Sequence, residues 1–166
     1  MDFFEYRELN EAFDKPYKFK SDGLSKKIGD VKYTFMTEVE DGLRGDEVDV
    51  HFDTDRFPGH DKEPTEDSHY TVSFDREGQD GVTGDGDAMR VFATVIAIIK
   101  DFVKKRNPKL MGFSAFKDVY ASSTAPGKGS REKLYARMLQ RYAGKMGYKY
   151  YKVSGVDKTE FELRRK

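Results

Sequence analysis

The stretch TGDGDAMRVFATVIAIIKDFVKKR, Thr83–Arg106, decides how the chain is read. Ala88, Val91, Phe92, Val95, Ile98, Ile99 and Phe102 recur at three- and four-residue steps, the period of a helix with one buried face. Ile96 and Val103 widen that face, so the spacing predicts a helix over 87–106. Lys104, Lys105 and Arg106 suit the negative C-terminal end of such a helix, and Asn107-Pro108 stops it. Ahead of it stand two glycines and two aspartates, which either hold a ligand or only start the helix.

On the N-terminal side the period changes to two. Val31–Val39 (VKYTFMTEV) and Glu47–Phe52 (EVDVHF) alternate apolar with polar residues, and His69–Phe74 (HYTVSF) is rich in β-formers. Three strands are expected there. Asp41-Gly42 with Gly45-Asp46 suits a hairpin connection, and 53–68, with Pro58, Gly59 and Pro64, reads as a longer loop. On the C-terminal side Leu110–Phe116 (LMGFSAF) reads as a buried strand, and Ser130 is a good N-cap for a second helix. Leu134, Tyr135, Met138, Leu139, Tyr142 and Met146 form its inward face, and Gly147 ends it. Tyr148–Val153 and Thr159–Leu163 then alternate as two closing strands joined around Gly155.

The expected order is β-β-β-α-β-α-β-β, preceded by a segment, 1–27, that can hold a helix. The class is α+β: an antiparallel meander, then α-β-α-β-β, in a mixed sheet with helices packed on it. A chain of 166 residues suits a single domain, 1–166, and can bury roughly 70% of its unfolded surface. With 37% hydrophobic and 14% aromatic residues it has the material for a core.

The inventory excludes several chemistries. There is no cysteine, so disulfides, thiolate metal sites and cysteine nucleophiles are ruled out, and a reducing cytoplasm fits. The opening MDFFEYRELNEAFDK mixes acids with apolar residues and lacks the order of a signal peptide. The apolar stretch Val91–Ile99 is too short to span a bilayer, so a soluble protein without a membrane partner is expected. His51, His60 and His69 are evenly spaced, which is not ligand spacing, and no metal site is expected. Ser114, Ser122 and Ser123 carry no nucleophile-elbow or triad signature.

Charge is unevenly laid out although the sum is zero. Glu38–Asp87 holds four basic and 17 acidic residues, whereas Ala88–Lys166 holds 19 basic and six acidic ones. The two blocks either neutralise each other in the fold or present an acidic and a basic surface to partners. On the second helix Lys133, Arg137 and Arg141 form a row at four-residue steps, with Lys128, Arg131 and Lys145 nearby. Such a stripe is either a solvated helix face or a surface for phosphates or an acidic protein.

The order of elements resembles the core of the GNAT acyltransferase superfamily, in which a meander leads to a phosphate-binding helix, a strand, a second helix and a terminal strand pair. The stretches TGDGDAMRVFATV, FSA and GSREKLYARMLQRYAGKMGY also resemble a group of small tailed-phage proteins, which implies no particular activity but places the chain in a host cytoplasm. The GNAT resemblance implies that Thr83, Gly84, Gly86 and Ala88 would present backbone N–H groups to the pyrophosphate of acetyl-CoA. Glycines and a helix N-terminus permit this. An aspartate about 6 Å from a phosphate opposes it by roughly 2 to 3 kcal/mol at an effective dielectric near 20. A helix end returns about 0.3 to 1 kcal/mol. The plain alternative is that Asp85 or Asp87 caps the helix while Gly84 and Gly86 turn the chain. A Mg²⁺ or Ca²⁺ site at Asp80, Asp85 and Asp87 does not match the spacing of an EF-hand loop.

The resemblance also implies a tyrosine on the second helix that protonates the departing thiolate. Tyr135 and Tyr142 are the candidates, but the family spacing counted back from Tyr148 falls on Ala143, and Tyr142 misses by one. Two readings follow. One is a phage-type, non-catalytic module that binds protein or nucleic acid through its basic helix face and needs no cofactor. The other is an acyl-CoA-dependent N-acyltransferase with an acidic phosphate loop.

Overall fold

The computed structural model describes residues 15–22, 30–38, 44–54, 69–76, 79–80, 88–116, 130–154 and 158–166. The elements are β1 (Phe19–Ser21), β2 (Val31–Glu38), β3 (Arg44–Thr54), β4 (His69–Arg76), β5 (Gln79–Asp80), α1 (Ala88–Arg106), β6 (Leu110–Phe116), α2 (Ser130–Ala143), a 3₁₀ turn (Gly144–Met146), β7 (Tyr148–Ser154) and β8 (Lys158–Arg165). One sheet runs in the order β1-β2-β3-β4-β6-β8-β7, with β5 attached to β4. The meander, helix, strand, helix and strand pair stand in the expected order, and the fold is α+β.

Among the described residues β4 and β6 form the parallel pair, while the other strand pairs are antiparallel. Parallel neighbours need a crossover, and α1 supplies it. The sheet's helix-facing side is set by alternation: Tyr33 and Phe35, Val48, Val50 and Phe52, Tyr70 and Val72 are all buried. Above them lie Val91, Val95, Ile98, Ile99 and Phe102 of α1, buried as the helical period requires. Phe102 stacks on Phe52 at 3.9 Å between ring centres and takes the edge of Tyr70 at 4.9 Å. Met138, Leu139 and Ala143 of α2 join the same core, with Met111, Phe113, Phe161 and Leu163 beneath.

Thr94 interrupts the apolar face of α1 yet is fully buried. Its hydroxyl donates to the Arg90 carbonyl at 2.8 Å and accepts the Tyr17 N–H at 2.9 Å, so neither polar group is left unpaired. Tyr17 also stacks on Phe35 and lies under the Arg90 guanidinium at 3.9 Å. The described part of the N-terminal segment is therefore extended: residues 15–18 are irregular and Phe19–Ser21 form a strand. Of the segment 1–27, read as able to hold a helix, residues 1–14 and 23–27 lie outside the described residues, and 15–22 hold none.

Gly45 and Asp46, read from sequence as a turn, belong to β3. Met36 pairs with Glu47 and Glu38 with Arg44, so these two residues stand opposite Thr37 alone, a bulge. The Asp46 N–H donates to the Thr37 hydroxyl at 2.9 Å. Gly45 is required there, because a Cβ would meet the Thr37 side chain and lie 2.7 Å from its carbonyl oxygen. Helix α1 ends where Asn107, at φ 45°, returns its N–H to the Val103 carbonyl. No described helix is long and apolar enough to cross a membrane.

Candidate functional site

The parallel pair comes apart along its length. His69, Tyr70, Thr71 and Val72 face Leu110, Met111, Gly112 and Phe113, and the pairing stops there. Both strands continue: β4 stays paired with β3 as far as Arg76, and β6 with β8 as far as Phe116. Their C-terminal ends therefore separate from each other while keeping their outer partners. Part of that edge of β4 is taken by β5. Asp75 and Arg76 pair with Asp49 and Val48 on one edge and with Asp80 and Gln79 on the other. A strand has two edges, so β5 occupies the one that β6 would need. What remains between β4 and β6 is an opening at Ser73 and Phe74 on one side and Ser114 to Phe116 on the other.

The stretch singled out by sequence connects β5, which pairs with β4 beside this opening, to α1. Asp80 ends β5 and Ala88 begins α1; Thr83, Gly84, Asp85, Gly86 and Asp87 lie between them, outside the described residues. No acid stands in the first turn of α1. Its cation there, Arg90, is already engaged: Nε donates to the Lys15 carbonyl at 3.0 Å and Nη1 pairs with Glu38 at 3.0 Å.

On the face away from the helices, the strands carry polar residues at the alternate positions. His51 of β3 faces Ser73 of β4, the first residue beyond the β4–β6 pairing. His51 Nε2 lies 3.1 Å from Asp75 Oδ2, and both side chains are partly exposed. Lys32 faces His51 from β2 and binds Asp49 at 2.7 Å. Burial works against ionised Asp49, but hydrogen bonds from Lys32 and Thr34 hold its pKa below the ordinary value. Burial, then repulsion from Asp30, pushes Asp53 up, with His51 working the other way. His69 Nε2 would lie 3.6 Å from a Cβ at Gly112, so its ring sits over β6 just below the opening. His60 lies outside the described residues.

The tyrosine candidates fall at different distances from the opening. Tyr142 is near the end of α2, close to where Tyr148 donates to the Pro108 carbonyl at 2.6 Å, before β6 begins. That is the paired end of the sheet. Tyr135 stands seven positions earlier on α2, roughly 10 Å nearer the opening at 1.5 Å per residue. Tyr142 is half-buried against the core, with Lys100 Nζ 4.5 Å from its ring centre.

The basic stripe is partly in view. Arg137 and Arg141 are exposed on α2 and Lys145 on the 3₁₀ turn. Arg131 and Lys133 lie on α2 with only their backbone described, and Lys128 lies outside the described residues. Sequence reasoning missed Lys100, which α1 contributes to the same surface; its one signal is a lysine between Ile99 and Phe102 on an apolar helix. It also missed His51–Asp75 as a pair, since cross-strand neighbours 24 residues apart leave no local pattern.

No protein-family model and no curated protein matches the chain. One solved structure, an acetyltransferase from Bacillus cereus ATCC 14579, is similar over 98% of this chain and 89% of its own, at 12% identity and a TM-score of 0.39.

Proposed function

We propose that the chain is an acyl-CoA-dependent N-acyltransferase whose acyl-thioester arm enters between β4 and β6. The observation that carries this reading is the loss of pairing beyond Val72 and Phe113 while both strands run on. An extended ligand placed there meets unpaired strand edges on both sides and lies next to the start of α1, whose N-terminal end favours phosphate. Acyl transfer then forms the amine N–C bond and breaks the thioester C–S bond. The amine proton passes to His51, which Asp75 holds in one orientation beside Ser73. The departing thiolate takes a proton, and Tyr135, on the part of α2 nearer the opening, is the residue to test for it. Titration calorimetry with acetyl-CoA decides the matter: saturable heat supports the site, and no heat at millimolar ligand removes it.

A second reading has its own observation. Lys100 and Lys145 meet at the Tyr142 ring, Arg137 is exposed on α2, and among the described residues none of the three has an ion pair to a carboxylate. That favours a phage-type module that docks an anionic partner, at the end of the helices away from the opening. The two readings use different surfaces, so binding to each can be measured in the same sample.

A further inference from the structure

We propose that Lys100, Arg141 and Lys145, gathered around Tyr142 where α1 and α2 run side by side, bind the phosphate backbone of a nucleic acid. The inference rests on the second reading and names its partner.

Three cations from three elements converge on one ring. Lys100 Nζ lies 4.5 Å from the Tyr142 ring centre, Lys145 Nζ 5.6 Å and the Arg141 guanidinium carbon 5.7 Å. By contrast, Lys105 of α1 binds Asp101 at 2.6 Å and Lys32 of β2 binds Asp49 at 2.7 Å. Among the described residues Lys100 and Lys145 have no such partner. Burial, then the charge of Lys145, holds the Lys100 pKa below the ordinary lysine value. A ring face offers each cation a weak attraction but cannot neutralise it. An anion placed beside Lys100 and Lys145 would, with the Arg141 guanidinium at the same ring.

The arrangement selects phosphate over an isolated carboxylate, because a guanidinium fork and two ammonium groups approach from different sides and can share three oxygens. Arg137, one turn before Arg141, extends the cationic row along α2, at a step of about 6 Å set by helix geometry. This step is of the order of that between neighbouring phosphates in an extended strand. Tyr142 is half-buried and Lys100 covers its ring, so the surface reads backbone rather than bases. Binding is therefore expected to be indifferent to base sequence and steeply dependent on salt.

The test uses the full chain and a mixed-sequence single-stranded DNA oligonucleotide, followed by fluorescence anisotropy between about 50 and 200 mM salt. Three contacted phosphates give a slope of log K against log salt of roughly −2. Lys100→Gln and Lys145→Gln should each weaken binding about fivefold and reduce the slope by about 0.7. Lys109→Gln, an exposed lysine outside the cluster, is the control and should leave binding unchanged. Equal binding by wild type and both cluster variants, or no binding at the lowest salt, overturns the proposal. Inorganic pyrophosphate is the second probe: if it binds with the same loss in the variants while the oligonucleotide does not, the nucleic-acid assignment is wrong. Acetyl-CoA binding measured on the same variants separates this result from the fate of the acyltransferase reading, because the opening is at the other end of the helices.

Discussion

Val72 and Phe113 are the last residues that face each other across the parallel pair, and both are buried on the helix side of the sheet. Beyond them β6 keeps β8, and β4 keeps β3 and, at Asp75 and Arg76, takes β5 on its other edge. The start of α1 lies one segment after β5 in the chain, which makes the two acids before Ala88 the first electrostatic question for a ligand entering there.

Asp85→Asn and Asp87→Asn should tighten acetyl-CoA binding. Removing one negative charge about 6 Å from a phosphate relieves up to roughly 2 to 3 kcal/mol, less where water screens it. Calorimetry on the two variants is expected to show Kd falling several-fold for at least one. Unchanged affinity in both would mean that neither acid faces the ligand.

His51→Gln should lower kcat by about 10²-fold or more without weakening acetyl-CoA binding, because a glutamine fills similar space but cannot accept the amine proton. Asp75→Asn should have a smaller effect, since it orients the imidazole rather than touching the amine. Steady-state rates with a panel of primary amines, together with calorimetry, distinguish this from a folding defect. The groups facing His51 are Asp75 and Ser73 on β4, Lys32 on β2, and Asp49 and Asp53 on its own strand.

Stability should decline in alkali. Burial pushes the Tyr148 phenol up to about 12, against a small opposing effect of Arg165. Its folded pKa is raised, so the stability it contributes is full below the ordinary phenol value of about 10 and is lost as pH rises towards 12. Burial, then the hydrogen bond to Asp101, raises Tyr33 as well. Urea titrations at pH 8 and pH 11 should show the loss, and Tyr148→Phe should reduce it. At pH 8 that variant is expected to cost about 1 to 2 kcal/mol, because the Pro108 carbonyl loses its donor.

Gly45→Ala should destabilise the chain by about 1 to 3 kcal/mol, since the new methyl would press on the Thr37 backbone at 2.7 Å and the bulge would have to shift. A drop in the denaturation midpoint with an unchanged slope checks it. Thr37→Val, which removes the acceptor of the Asp46 N–H, should cost about 1 kcal/mol.

The elements with a strong internal period were legible. Phe102 and its partners at three- and four-residue steps placed α1 to within a residue at its start, and LMGFSAF marked β6 over its full span. Phe19–Ser21 and Gln79–Asp80 were not, since strands of three and two residues carry no period and exist through their pairing partners. Gly45-Asp46 misled because glycine serves a bulge and a turn equally well. The opening itself depends on which edge of β4 is already taken, a property of two segments that no local window contains. The same holds for Lys100, whose meeting with Lys145 follows from the packing of α1 beside α2.

The position of β5 bears on the rate and heat of ligand entry. Two parallel strands left to themselves would zip to their ends, and any molecule arriving later would first have to break those bonds. Here β5 already occupies the edge of Asp75 and Arg76 along which β6 would have to extend. Association should then resemble a key entering a cut lock: little rearrangement, no lag that depends on protein opening, and an on-rate that rises linearly with ligand concentration.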